Sequence, residues 1–174
     1  MIRNFLFLCI GLLLTCKLTN AQQHQTSIKQ AAIEMGNALV KKDGERFVSF
    51  MHPSMVSLAG GKTQLRLMSD SIFKIAEQLG GKVSRITFGN PTPVITHKNT
   101  LQSVITQQIV VSTLLGNAEL STAMIAISSN NGKTWSFIDT NLFNINKIKA
   151  AIPDISPQLV IPKQAPPKIM LNEQ

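Results

Sequence analysis

Cysteine and tyrosine are the residue types that this sequence most clearly lacks. The 174 residues include no tyrosine and two cysteines, and both cysteines, Cys9 and Cys16, lie near the start of the chain. The rest of the chain therefore has no thiol for a zinc–thiolate site, a cysteine nucleophile, a redox motif or a disulfide. A domain of this length is large enough to be stable through its hydrophobic core alone.

The segment 1–21 has the pattern of an export signal. Arg3 precedes an apolar run over positions 5–14, which is shorter than the roughly 20 residues that span a membrane. The small residues Thr19 and Ala21 predict cleavage after Ala21, so that the mature protein is periplasmic or secreted. An uncleaved amphipathic start fits less well, because the run is apolar on all sides of a helix.

Cys16 suggests an alternative to cleavage after Ala21. The residues Leu13-Leu14-Thr15-Cys16 resemble a bacterial lipoprotein box, although Thr15 stands where Gly, Ala or Ser is usual. The resemblance implies lipidation of Cys16, which would hold the protein at a membrane surface. We expect membrane contact only in that case.

The charge excludes one class of partner. When Arg3 and Lys17 are removed with the signal, 15 of the 17 basic residues remain against 9 acidic ones. The lysines are scattered and no basic run is interleaved with aromatic residues, so nucleic acid is not an expected partner of an exported domain. A weak attraction to an anionic envelope surface is compatible with this charge.

The residues after the signal have helical periodicity. Ser27 begins a capping box that predicts the start of a first helix. Asp43 is expected to cap a short second helix that ends at His52-Pro53, and residues 55–58 are expected to be extended. A third helix is predicted over residues 63–79, with an apolar face composed of Leu65, Met68, Ile72, Ile75, Ala76 and Leu79.

Beyond residue 80 the apolar period changes from about 3.6 to 2, which predicts strands. We expect a turn at Gly116-Asn117, a hairpin at Asn131-Gly132 and a short closing helix within residues 142–152. The predicted class is α+β, with the N-terminal helices packed on a curved antiparallel sheet. The predicted strands are 83–88, 101–115, 119–128 and 134–139.

The C-terminal segment 153–174 is a proline-rich tail. Five prolines lie between Pro153 and Pro167, and proline lacks an amide donor, so regular structure is not expected past Ile152. The apolar segment Leu159-Val160-Ile161 leaves open that the tail lies against the domain. The domain itself is expected to span residues 22–152.

The order of elements over residues 27–144 resembles the nuclear transport factor 2-like superfamily, which includes the SnoaL-like proteins. The resemblance depends on the first-helix stripe, the break at Lys42-Asp43-Gly44, the segment from Phe50 to Val56, the turn at Gly60-Gly61, the third helix and the closing segment from Trp135 to Asp139. It implies a cone-shaped domain with a pocket between sheet and helices, which often dimerises through the sheet. Such proteins include isomerases, cyclases, dehydratases and non-catalytic binding domains, and fold alone does not choose among them.

Few side chains are candidates for chemistry. Asp139 shares a strand face with Trp135 and Phe137, so these residues and His52 are assigned to the expected pocket. A pocket position would desolvate Asp139 and raise its pKa, as suits a general acid or base, whereas the alternative role is to cap the turn after the strand. His97 is a second, weaker catalytic candidate. The histidines have no metal-ligand spacing, so we expect no metal and no cofactor.

Two motifs are interpreted as structural. The segment Gly60-Gly61-Lys62-Thr63 resembles the end of a phosphate loop, but Val56 stands where the pattern needs glycine. The segment from Ser128 to Trp135 resembles the Asp-box hairpin, with Asn130 in place of Asp, and a single copy cannot make a propeller.

The sequence therefore favours a non-enzymatic domain of the bacterial envelope that binds a small apolar ligand or a partner. The strand over residues 101–115 has two apolar rows of opposite parity. Val104, Val110 and Leu114 are assigned to the inward face, and Ile105, Ile109 and Val111 form the second row. A sheet that is apolar on both faces predicts a homodimer paired through the sheet, unless the tail covers one face. The alternative function is a SnoaL-like enzyme with Asp139 or His97 as base, although the tyrosine that stabilises the oxyanion in similar isomerases is missing.

Overall fold

The computed structural model describes residues 2–78, 80–142 and 145–171, with side chains from residue 21 onward. Helices lead and strands follow, which confirms the α+β class. Leu79 and residues 143–144, which the sequence assigns to a helix face and to the end of the family-like region, lie outside the described residues. The elements are α1 (Ile2–Val40), α2 (Gly44–Ser49), α3 (Pro53–Leu58), α4 (Lys62–Gln78), β1 (Gly81–Phe88), β2 (Ile95–His97), β3 (Thr100–Thr113), β4 (Gly116–Ser128), β5 (Ser136–Asp139), α5 (Ile145–Ala151) and β6 (Lys168–Leu171).

Ser27 lies inside α1 and does not cap its start, so the predicted capping box is wrong. Its hydroxyl donates to the carbonyl oxygen of His24 one turn earlier (2.9 Å) and accepts a hydrogen bond from Trp135 Nε1 (2.9 Å). The buried residues Ile28, Ala32, Met35 and Leu39 confirm the predicted apolar stripe. Across residues 2–78, 80–142 and 145–171, none of the helices combines the length and the apolar character that crossing a membrane requires.

The short helices differ from the prediction after Met51. Asp43 caps α2 as expected, because its Oδ1 accepts a hydrogen bond from Arg46 N (3.0 Å). Residues 53–58, however, form helix α3 and are not extended. Proline is favoured at the first position of a helix, where no amide donor is needed. His52-Pro53 therefore starts a helix, although we expected it to end one.

Helix α4 is present, but its buried face is rotated from the predicted one. The buried positions are Leu65, Ser69, Phe73 and Ala76. Ile75, expected to be inside, is exposed. The ring of Phe73 lies under the ammonium group of Lys42, 5.3 Å from its centroid, which helps to fix this rotation.

The six strands form one curved, open, antiparallel sheet in the order β1-β3-β4-β5. Strand β2 pairs with the start of β3, and β6 pairs with the start of β4. The turn between β3 and β4 is at Leu114-Leu115, because Thr113 pairs directly with Gly116. The predicted turn at Gly116-Asn117 is therefore wrong, since these two residues already belong to β4. The hairpin at Asn131-Gly132 is confirmed, and both residues have positive φ.

The two faces of the sheet separate the two apolar rows of β3. Ile105 and Ile109 lie on the inner face, where their cross-strand partners are Met124 and Leu120 and where the helices pack. Val104 and Val110, assigned to the inward face from the sequence, lie on the outer face and are also buried, so that assignment is wrong because the opposite row faces the helices. Leu114, the third residue assigned to that inward row, lies instead in the exposed turn.

The proline-rich tail is part of the fold. Ile155 and Ser156 are buried, and Gln102 on the outer face is hydrogen bonded to the carbonyl oxygen of Asp154 (2.6 Å) and to the amide of Ser156 (2.9 Å). Leu159 and Ile161 pack against the core. The tail then ends in strand β6, so the expectation of no regular structure past residue 152 is wrong. Strand β5 is short and pairs only with the end of β4, so the start of β4 has a free edge. That edge is the hydrogen-bonding partner that allows the tail to form β6.

Candidate ligand cavity

A small internal cavity lies between the helices and the inner face of the sheet. Its volume is about 20 Å³, which is room for about one water molecule. The wall is mostly apolar and includes three flexible methionine side chains. The lining residues are Met35, Leu39, Phe47, Met51, Ser69, Ile72, Gln107, Ile109, Met124, Asp139 and Leu142.

Asp139 reaches this cavity from the end of β5. Its cross-strand partner is Met124 on the inner face of β4, and the two-residue period of the strand gives both residues the same side of the sheet. Its Oδ1 also accepts a hydrogen bond from the amide of Asn141 (2.8 Å). Asp139 therefore has both roles that the sequence left open, on the cavity wall and at the turn.

The surroundings of Asp139 favour its neutral form. The residue is partly exposed, yet the protein atoms packed around its carboxyl desolvate it and raise its pKa above the ordinary value of 3.8. The backbone amides of Asn141 and Leu142 donate to the carboxyl and lower the pKa by a smaller amount. The net result is a carboxyl that takes up a proton more readily than a surface aspartate does.

Gln107 and Thr122 bring two unpaired polar atoms to the same region. Gln107 lines the cavity and is 3% exposed, and Thr122 is its cross-strand partner on β4. Neither Gln107 Oε1 nor Thr122 Oγ1 has a hydrogen-bond partner in the described part of the protein. Buried polar atoms are nearly always paired, because an unpaired one keeps the cost of leaving water. A water molecule or a ligand group in the cavity would satisfy Gln107.

Gln107 was not among the predicted site residues, although the sequence contains a signal for it. The residue lies between Ile105 and Ile109 in the same parity, so a polar side chain interrupts the apolar inner row. A glutamine at an inward position of a strand needs an internal hydrogen-bond partner. The other uncharged polar residue of the wall, Ser69, already donates to the carbonyl oxygen of Arg66 (2.7 Å).

The remaining residues assigned to the pocket do not line this cavity. Phe137 is fully buried in the core. Trp135 is buried nearer the start of β5, where its indole donates to Ser27 and its ring meets His24 edge to face.

His52 caps helix α3, because its Nδ1 accepts a hydrogen bond from Ser54 N (3.3 Å). Burial lowers the pKa of His52, which favours the neutral ring that can accept this bond. Of the four assigned residues, Asp139 alone lies on the wall.

His97 is separated from Asp139 by two strands. It ends β2, which pairs with β3 at Thr100, whereas Asp139 lies on β5 beyond β4. The two weak catalytic candidates therefore do not form one site. In the described part of the chain, no group of three or more histidine, cysteine or carboxylate residues is placed to hold a metal ion.

The two motifs interpreted as structural are turns. In the Asp-box-like hairpin, Asn130 Oδ1 accepts hydrogen bonds from Ser128 Oγ (2.9 Å) and from Thr134 N (3.0 Å), so the amide oxygen occupies the place of a carboxylate. Gly60 and Gly61 both have positive φ and lead directly into α4. These contacts agree with the structural interpretation of both segments.

Comparison of the chain with protein-family models and with curated proteins gives no match. The resemblance to the nuclear transport factor 2-like superfamily therefore remains a prediction, which is based on the order of its elements.

Proposed function

We propose that the exported chain is a non-enzymatic domain of the bacterial envelope that binds a small ligand in the cavity between its helices and its sheet. In this proposal the domain is a cone of the nuclear transport factor 2-like kind. The observation that carries the proposal is the unpaired Oε1 of Gln107, which lies on the cavity wall without a donor among the described residues. A buried acceptor without a partner in the protein can accept a hydrogen bond from a ligand.

The chemistry of the wall defines the class of ligand. A donor group on the ligand would pair with Gln107 Oε1, and the apolar side chains would surround the rest of the molecule. Because its pKa is raised, Asp139 keeps its proton to a higher pH than a surface aspartate does, and the protonated carboxyl can donate a hydrogen bond. A neutral, largely apolar molecule with a hydroxyl or amide donor fits these groups.

The cavity must expand to admit such a molecule. Its present volume suits a water, but Met35, Met51 and Met124 line it. Methionine has three rotatable bonds and refills space easily, so apolar sites rich in it adapt to ligands of different shapes. We propose that these side chains fill the cavity in the unliganded protein and move aside on binding.

A SnoaL-like enzyme is the second candidate, and one observation favours it: Asp139, with a raised pKa, lies on the cavity wall. Two features support the binding domain instead. His97 is too far along the sheet to assist Asp139, and the chain has no tyrosine to stabilise an oxyanion.

Native mass spectrometry of the exported protein tests the binding proposal. We expect a bound small organic molecule that is released on unfolding, or one that is acquired when the protein is mixed with an organic extract of the cell envelope. A protein that carries nothing and acquires nothing from the extract contradicts the proposal. A bound molecule that the protein converts to a product would favour the enzyme.

A further inference from the structure

The hairpin between β3 and β4 holds two leucines in solvent. Leu114 is 89% exposed and Leu115 is 77% exposed. The hydroxyl of Thr113 accepts a hydrogen bond from Leu115 N (3.2 Å) and donates to the carbonyl oxygen of Gly116 (3.0 Å), which fixes the turn. Turns usually contain Gly, Asn, Asp, Ser or Pro. Two leucines presented by a well-bonded turn are therefore not explained by turn formation.

Strand β6 extends the apolar surface beside this turn. Leu171 pairs with Gly116, the residue after Leu115, and Ile169 pairs with Ala118. Both side chains are largely exposed. We refer to Leu114, Leu115, Ile169 and Leu171 as the apolar tip. Single exposed aliphatic residues are ordinary, but four neighbouring ones are typical of an interaction surface.

The margin of the apolar tip holds two lysines and one glutamate. Lys82 pairs with Ser112, which shortly precedes Leu114, and Lys168 pairs with Glu119 at the start of β6. Both lysines are exposed. Glu119, the acidic residue of this margin, accepts a hydrogen bond from Gln108 Nε2 (2.9 Å). By strand parity both lysines lie on the outer face of the sheet, whereas Ile169 and Leu171 lie on the inner face, so the two groups come together only around the end of the sheet. A membrane that receives this end would meet both, and lysines beside aliphatic residues are complementary to anionic lipid headgroups.

The composition of the apolar tip fits a lipid surface better than a protein partner. It contains no tryptophan, tyrosine or arginine, the residues that usually dominate binding energy at protein interfaces. Four side chains also fall well short of the roughly 800 Å² per partner of a stable protein interface. Insertion between lipids requires apolar area and nearby positive charge, but no complementary shape.

We propose that the apolar tip inserts into the headgroup region of an anionic membrane, with Lys82 and Lys168 at the phosphates. This contact is independent of lipidation at Cys16, the one membrane contact that the sequence implied. Residues at the start of the mature domain lie at the opposite end of the sheet, because His24 contacts Trp135, just before β5, whereas the apolar tip adjoins Gly116 at the start of β4.

Vesicle co-sedimentation of the exported protein, with its N-terminus determined, tests the proposal. We expect binding to phosphatidylcholine vesicles that contain phosphatidylglycerol, and a loss of about tenfold in the partition coefficient for L114S/L115S. The control V160S removes an equally exposed side chain, 80% exposed, from the tail and is expected to bind like the wild type. K82Q/K168Q should weaken binding to anionic vesicles only.

A second readout does not require removal of the leucines. In L115W the new indole is expected to shift its emission to the blue when anionic vesicles are added, whereas buried Trp135 reports no such change. The proposal is overturned if the wild type does not bind vesicles, or if L114S/L115S binds as well as the wild type. It is also overturned if binding depends on an acylated Cys16, or if light scattering shows a dimer that the leucine substitutions abolish.

Discussion

Gln107 on β3 and Thr122 on β4 are cross-strand partners on the inner face of the sheet, and each has a buried side-chain oxygen without a hydrogen-bond partner among the described residues. Such a pair costs stability in the unliganded protein, because neither oxygen recovers the hydrogen bonds it had with water. Departures from a fully paired interior are expected mainly at functional sites. This pair is therefore the basis of the ligand-binding proposal.

Replacing Gln107 by leucine should stabilise the unliganded protein. The substitution removes the unpaired amide oxygen and keeps a similar volume, so we expect the free energy of unfolding in urea to rise by about 1 kcal/mol. Gln102 is the matched control, because it lies on the same strand and is equally buried. Its amide is hydrogen bonded to Thr100, Asp154 and Ser156.

Gln102→Leu should therefore lower the free energy of unfolding by about 1–3 kcal/mol. Equal losses of stability in Gln102→Leu and Gln107→Leu would show that Gln107 Oε1 has a hydrogen-bond partner in the protein, which contradicts the unpaired oxygen.

Asp139→Asn should change how stability depends on pH. A carboxyl with a raised pKa holds its proton more tightly in the folded state, so the wild type is favoured at low pH and loses stability as the pH rises from about 4 through the folded pKa. Asparagine does not titrate and can still accept the hydrogen bond from Asn141 N. We expect Asp139→Asn to melt at a higher temperature than the wild type at pH 7, with the difference disappearing below pH 4. Parallel melting curves at all pH values would contradict a raised pKa.

Gly132→Ala should destabilise the protein more than Gly80→Ala. Both glycines have positive φ, 79° and 67°, so each substitution carries backbone strain. A Cβ at position 132 would also collide with the His24 ring, whereas nothing lies within 4 Å of one at position 80. We expect Gly132→Ala to cost about 1–3 kcal/mol, and thermal melts should show the double substitution with His24→Ala recovering part of it. No difference between the two glycine variants would mean that His24 does not pack on this hairpin.

Deleting everything after Ile152 tests what covers the outer face of the sheet. The deletion removes Ile155, the partners of Gln102 and strand β6, so it exposes apolar surface and the edge of β4. We expect a full-length monomer in light scattering and a truncated protein that aggregates. A full-length dimer that stays soluble and dimeric after truncation would instead support the homodimer expected from the sequence.

The class of the fold was predictable because the spacing of apolar residues and the residue preferences of turns are properties of short segments of sequence. The stripe on α1 and the hairpin at Asn131-Gly132 require no knowledge of the rest of the chain. The turn at Leu114-Leu115 was not predictable in this way, because the pairing of Thr113 with Gly116 overrides the residue preference for Gly116-Asn117. Strand β6 likewise depends on a partner edge, the start of β4, that lies far earlier in the sequence.

The candidate site was predictable only in part. Asp139 followed from strand parity, since Phe137 and Asp139 pair with Ala126 and Met124 and therefore share one face of the sheet. His52 did not, because its ring is used as a helix cap, which depends on Pro53 starting α3. Gln107 required the knowledge that the inner row of β3 borders a cavity and that no described side chain opposite donates to it.

The most direct measurement is ligand retention in the two glutamine variants. Native mass spectrometry would compare exported wild type, Gln107→Leu and Gln102→Leu, each with the ligand that the wild type carries or acquires from an envelope extract. We predict that the wild type and Gln102→Leu retain the ligand, and that Gln107→Leu loses it although this variant is the more stable. Retention of the ligand by Gln107→Leu would contradict a binding site in this cavity. Loss of the ligand from the destabilised Gln102→Leu would contradict it as well, because retention would then follow stability and not the cavity wall.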